Sequence, residues 1–188
     1  MRAPKPITAP PGDTADISSW VQGNIGLVVW VGSKKGGTRV KLGNVAAAFG
    51  KGIFAGAAGT AAMTLSSTIE MKVRGRPASS TPAQAAAKVL GVEPVDEESE
   101  ARFSNLVHWG YGTSWGGARG LLAAAGLSGP AATAVHLGAV WGSEQVMLPT
   151  LGVTPPLTEW GAKEVAIDAL HHLVYAGATG LAYSLLDR

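Results

Sequence analysis

Long stretches of this chain carry almost no Asp, Glu, Lys or Arg, and that distribution leaves few folds open. Residues 52–69 have none, residues 169–186 have none, and between positions 103 and 143 Arg119 stands alone. A water-soluble domain needs polar faces at such intervals, whereas a helix crossing a bilayer needs about 18 or more mostly apolar residues at about 1.5 Å each. The pattern predicts spans near 52–69, 104–125, 130–148 and 165–186. Lipid supplies no hydrogen-bond partners, so a spanning segment satisfies its own backbone, and the period-2 alternation of a barrel strand is absent. The expected fold is all-α: an integral membrane bundle of about four transmembrane helices with a short amphipathic surface helix between the first two.

Composition agrees. The chain is 46% hydrophobic and 15% charged, against about 25% charged in soluble proteins. It divides into residues 1–45, a Pro/Gly-rich and basic N-terminal interfacial segment, and residues 46–188, a helical membrane domain. Residues 17–33 are charge-free but broken by Ser18, Ser19, Gln22, Gly23 and Asn24, so they read as interfacial rather than as a fifth span. Lys34, Lys35, Arg39 and Lys41 lie among glycines before the first span, where each gains about 1 kcal/mol beside anionic lipid. The net charge of +2 and the lack of interleaved aromatics argue against nucleic acid. The absence of cysteine excludes disulfides, Cys-type zinc sites, thiolate-held iron–sulfur clusters and covalent c-type haem.

Local signals punctuate the spans. Thr81-Pro82-Ala83-Gln84 reads as a capping box opening a surface helix that ends at Gly91. Asp96, Glu97 and Glu98 suit the positive end of a helix running into the second span. Residues 126–130 form a tight turn that makes the second and third spans an antiparallel hairpin. Pro149, Pro155 and Pro156 close the third span, and Thr158 is placed to cap the fourth. Basic residues divide about equally between the two ends of the spans, so the positive-inside rule leaves orientation undecided; the Lys34 to Lys41 cluster leans it to cytoplasmic termini.

Helices in lipid associate by close backbone approach, which needs small residues at four-residue spacing. Gly52 and Gly56 in the first span, Gly112, Gly116 and Gly120 in the second, Gly138 and Gly142 in the third and Gly180 in the fourth supply it. Ala134 and Ser184 extend the stripes of the third and fourth spans.

Ionisable groups inside a membrane face the bundle interior and usually have a task there. Antiparallel topology puts Glu70, His108, Glu144, Asp168, His171 and His172 at one membrane level, and Arg119 level with His136 deeper in. Such a His/carboxylate cluster suits proton transfer or handling of a small solute, or else a divalent metal or haem; a third alternative is a non-catalytic membrane assembly or lipid-interaction protein in which the same residues are only interfacial. The sequence requires no cofactor and assigns no reaction; its expected partners are the bilayer, anionic lipid, and a second copy or a membrane complex.

Three strings carry a family resemblance: Glu70-x-x-x-Arg74-Gly75-x-Pro77, His108-Trp109-x-Tyr111-Gly112 and His171-His172-Leu173-Val174-Tyr175. Together they resemble the YagU-like group of small bacterial inner-membrane proteins, over roughly residues 52–186. The resemblance implies a bacterial inner membrane and a multi-pass helical bundle, and no defined reaction.

Overall fold

The computed structural model describes residues 40–188 and the dipeptide Val28–Val29. Strand β1 (Val28–Val29) pairs antiparallel with β2 (Val40–Lys41), and a helical bundle follows. Its elements are α1 (Leu42–Arg74), α2 (Thr81–Leu90), α3 (Glu97–Ala124), α4 (Gly129–Thr150), a 3₁₀ turn (Leu157–Glu159) and α5 (Ala162–Leu186). Helix α1 starts inside the segment expected to be interfacial. Lys34, Lys35 and Arg39 lie outside the described residues, as does most of 17–33, whereas Lys41 is exposed at the start of α1.

The helix ends follow side-chain chemistry. Asp96 caps α3 by accepting from the Ser99 backbone N–H at 2.7 Å, while the Ser99 hydroxyl accepts from the Asp96 N–H, closing a capping box. Helix α2 opens one residue earlier than expected. Ser80 is its N-cap, Pro82 stands in the first turn, and Gln84 reaches the Ser80 hydroxyl at 2.7 Å, so the Thr81 box does not form. Gly91 ends α2 at a φ of 66°, in the left-handed region that favours glycine. Thr158 is not a cap either: it lies in the 3₁₀ turn, and Gly161 precedes α5.

Helix α1 lies against α3 and α5, and α4 lies chiefly against α5. The α1/α3 seam is made of backbone. A Cβ at Gly52 or Gly56 would strike Gly116, and one at Gly120 would strike the Ala48 carbonyl. Gly112 meets the Thr60 hydroxyl, and Gly180 of α5 meets the Thr133 hydroxyl of α4. The stripe on α4, however, is not the expected one. Gly138 and Gly142 have no neighbour within 4 Å of a built Cβ, and Ala134 and Ser184 are exposed. Helix α4 instead buries Ala132, His136 and Val140, a face two positions round, because His136 has a hydrogen bond to make inside and glycine at 138 has none.

The interior mixes a small apolar cluster around Val140, Tyr175 and Ala176 with polar side chains. The largest fully buried side chains are Arg119, His136, Thr60 and Thr179, while Phe54, Leu65, Ile69, Leu106, Val146, Leu170 and Leu181 point outward. Among the described residues α1 alone is long and apolar enough to cross a membrane by length and composition.

Candidate functional site

Helix α5 organises the polar interior. Asp168, His172, Tyr175, Thr179 and Tyr183, with Asp187 just beyond the helix, recur every three or four residues and so share one face. His172, Tyr175, Thr179 and Tyr183 are each buried to 2% exposure or less. The stripe spans twenty positions, from 168 to 187, nineteen rises or about 28 Å along the helix.

At one end, where α1 stops, Glu70 accepts from Arg76 Nε at 2.8 Å and from Arg74 Nη1 at 3.0 Å. Arg74 also grips Glu164 of α5 through two bonds of 2.9 and 2.8 Å, tying the two helices together. Hydrogen bonding by Arg76, and then by Arg74, holds the Glu70 carboxyl below its ordinary value of 4.5; Arg74 does the same for Glu164. A carboxylate whose folded pKa is depressed stabilises fully above its unfolded value and loses that contribution as pH falls through the folded one. The thermal midpoint in detergent should therefore drop below about pH 4.5, more steeply in the wild type than in Glu70→Gln. Equal slopes would remove Glu70 from the network.

One turn further in, α5 presents two histidines. His171 Nδ1 meets the Ser66 hydroxyl at 2.9 Å, and its Nε2 lies 3.9 Å from Glu70 without a hydrogen bond. His172 is more constrained. A carbonyl oxygen only accepts, so the Asp168 carbonyl at 2.9 Å fixes a hydrogen on His172 Nδ1. The other nitrogen, Nε2, faces Glu144 Oε2 at 2.8 Å. One proton must therefore lie between Nε2 and the carboxyl, on the imidazole or on the acid. Asp168 is positioned from α4, accepting from Trp141 Nε1 at 2.7 Å and from Gln145 at 3.4 Å.

His108 of α3 lies within electrostatic reach of this pair but bonds to α1 instead. The Thr64 hydroxyl spends its hydrogen on the Thr60 carbonyl at 2.8 Å, so His108 Nε2–H donates to Thr64 at 3.0 Å and Nδ1 keeps its lone pair. Deeper, His136 Nε2–H donates to the Trp115 carbonyl at 3.0 Å, leaving a buried Nδ1 without a partner. The His136 ring packs on Tyr175, with centroids 5.6 Å apart, and the Tyr175 hydroxyl donates to the Gly112 carbonyl at 2.5 Å. All four histidines thus share one design: one ring nitrogen is anchored, and the other faces a carboxylate or no partner.

The expected six-residue convergence is divided. Glu70 and His171 belong to the arginine network at the edge, while His172, Glu144 and Asp168 form an inner set with His108 within electrostatic reach. Glu70 is held away because Arg74 and Arg76 both claim its oxygens. Among the described residues no three or more His, Asp or Glu side chains are placed to hold one metal ion. Nor do Arg119 and His136 pair. The Arg119 guanidinium lies 4.6 Å over the Tyr183 ring, while His136 bonds to the Trp115 carbonyl. Sequence reasoning missed Arg76, Ser66, Thr64, Trp141, Gln145, Thr179 and Tyr183. The last two were within reach, since continuing the four-residue spacing from Asp168 past Tyr175 lands on both. No protein-family model matches the chain, and no curated protein or solved structure matches it.

Proposed function

We propose that the chain is a four-span membrane protein, with α1, α3, α4 and α5 crossing the bilayer and α2 at its surface, and that the inner face of α5 moves protons. The observation that carries this reading is the polar stripe itself. Its middle, from His172 to Tyr183, lies inside the bundle with Leu170, Leu173, Leu181 and Leu185 outside, and its more open ends, Asp168 and Asp187, are about 28 Å apart along the helix, near the hydrocarbon thickness of about 30 Å. In water such a helix would be turned the other way round.

Helices α3, α4 and α5 have 28, 22 and 25 residues, enough to span. They are less apolar than α1 because their glycines, histidines, tyrosines and hydroxyls are spent on the interior. The Lys51–Asp187 ion pair of 2.8 Å joins the start of the first span to the end of the last, as an even number of crossings requires. The resemblance to the YagU-like group is in keeping with the same reading and implies a bacterial inner membrane.

Histidines with one anchored and one open nitrogen suit proton exchange, because imidazole binds and releases a proton near neutral pH while its ring stays in place. The inner set of His172, Glu144 and Asp168, with His108 within electrostatic reach of it, is the exchange point, and Tyr175 and His136 continue the path.

The chain has no cysteine, so single-cysteine variants give clean labelling. Leu170→Cys, Leu173→Cys and Leu181→Cys should resist a water-soluble maleimide in intact membranes, whereas Lys163→Cys and Ser79→Cys should react. Free labelling of the α5 leucine positions from water would end the membrane reading.

A further inference from the structure

Helix α2 has no part in the proton path, yet its attachments lay it across the end of the bundle where that path begins. The chain leaves α1 at Arg74 and meets α3 where the Ser104 hydroxyl donates to the Ser79 carbonyl at 3.2 Å. It then reaches the end of α4, where Lys88 Nζ donates to the Leu151 and Gly152 carbonyls at 2.7 and 3.2 Å. Each anchor lies just outside a member of the His/carboxylate group: Arg74 is one turn beyond Glu70, Ser104 one turn before His108, and Leu151 about two turns past Glu144. The group itself is not sealed, since the Glu144 and Asp168 side chains keep 20% and 28% of their exposure.

The strap is lightly held. Its buried residues are two alanines, Ala83 and Ala85, while Val89 and Leu90 in its last turn are 65% and 64% exposed. Among the described residues Lys88 makes the only side-chain hydrogen bonds from α2 to another part of the bundle. It supplies a cation to the C-terminus of α4, whose own last turn has no basic residue. Lys88 is exposed, so water competes for those bonds and the latch is weak. A glycine in the left-handed region flanks α2 on each side, Gly75 at a φ of 65° and Gly91 at 66°, with nothing within 4 Å of a built Cβ. The backbone can turn there without a side chain in its way.

We propose that α2 is a gate for water over the His172–Glu144 pair, closed while Lys88 holds the α4 C-terminus and open when that contact lets go. A proton reaches or leaves a buried imidazole only through water or another acid, so access to this end of the bundle regulates the exchange, as closing segments do elsewhere. The gate takes its purpose from the proton-exchange reading; the covering of that end rests on the contacts of Ser79 and Lys88.

The test uses the full-length protein, which has no cysteine, with one reporter at Ser67→Cys. Ser67 is half-buried in α1, one turn from the Thr64 that meets His108, and its hydroxyl bonds only to the Thr64 carbonyl. A small water-soluble thiosulfonate should modify this cysteine about fivefold faster in Lys88→Met, which keeps the length of the side chain and drops its charge. Lys88→Arg should restore the slow rate, and pH-driven flux in proteoliposomes should follow the same order. Without the reporter, a short reducible cross-linker joining Lys88→Cys to Leu151→Cys should suppress flux, and reductant should restore it. A Lys88→Met protein that melts lower but labels at the wild-type rate would overturn the gate and leave Lys88 as a helix cap. Flux that persists at the wild-type rate through the cross-linked strap would overturn it as well. Labelling that follows Lys88 in a protein without proton flux would keep the gate and end the relay.

Discussion

Gly116→Leu is expected to lose most of its folded population in detergent, while Gly138→Leu unfolds almost as the wild type does. A Cβ on Gly116 would run into the Gly52 carbonyl oxygen and the Gly56 backbone. Neither can rotate aside as a side chain would, so α1 and α3 must separate. Overpacking a close interface costs typically about 1–3 kcal/mol and more where backbone has to move. The loss should spread, because the same seam aligns Thr60 with Gly112 and Thr64 with His108. Gly138 has open space beyond its Cα, and substitutions at such positions usually stay within about 0.5 kcal/mol. Thermal unfolding of the two variants beside Leu122→Ala checks the assignment. A Gly138→Leu more damaging than Gly116→Leu would mean that α4, not α1, forms the tight contact with its neighbours.

That contrast shows where sequence reading succeeds and where it stops. Helix positions came through because charge-free runs, the Asp96 cap and the glycine turn at 126–129 act over a few residues. The small-residue faces of α1 and α3 were legible because both lie in unbroken four-residue series that fit each other. On α4 two series compete, Ala134-Gly138-Gly142 and Ala132-His136-Val140, and composition alone favours the smaller residues. The choice is made by the Trp115 carbonyl on α3, which His136 can reach only from inside, and a partner on another helix leaves no mark in the sequence of α4.

The site divides in the same manner. Antiparallel topology was enough to expect Glu70, His108, Glu144, Asp168, His171 and His172 toward one end of the bundle. It could not tell which carboxylate each histidine would meet. Arg74 and Arg76 decide that by occupying Glu70, and Arg76 acts from beyond the helix, where the chain folds back past Gly75. Glu144 is then the acid left for His172.

The proton shared by that pair carries the second large expected effect. In proteoliposomes preloaded with acid, Glu144→Gln should lower pH-driven flux by at least about tenfold with little change in thermal stability, a factor in keeping with the contribution of one positioned acid–base group. The substitution is close to isosteric: the new amide can donate to His172 Nε2 at the same 2.8 Å site while the Asp168 carbonyl keeps Nδ1 protonated. What it removes is the acid that exchanges a proton with the ring. His172→Gln should cost about as much, and the double variant no more than either, because groups acting as one unit are not additive. Glu70→Gln should cost far less flux, since Glu70 is bound by two arginines and meets His171 only at 3.9 Å. Wild-type flux in Glu144→Gln would sink the relay and leave His172–Glu144 as a structural ion pair. A fall in flux that tracks a fall in stability would say the same, because a pair that merely holds α4 to α5 must fail as packing before it fails as chemistry.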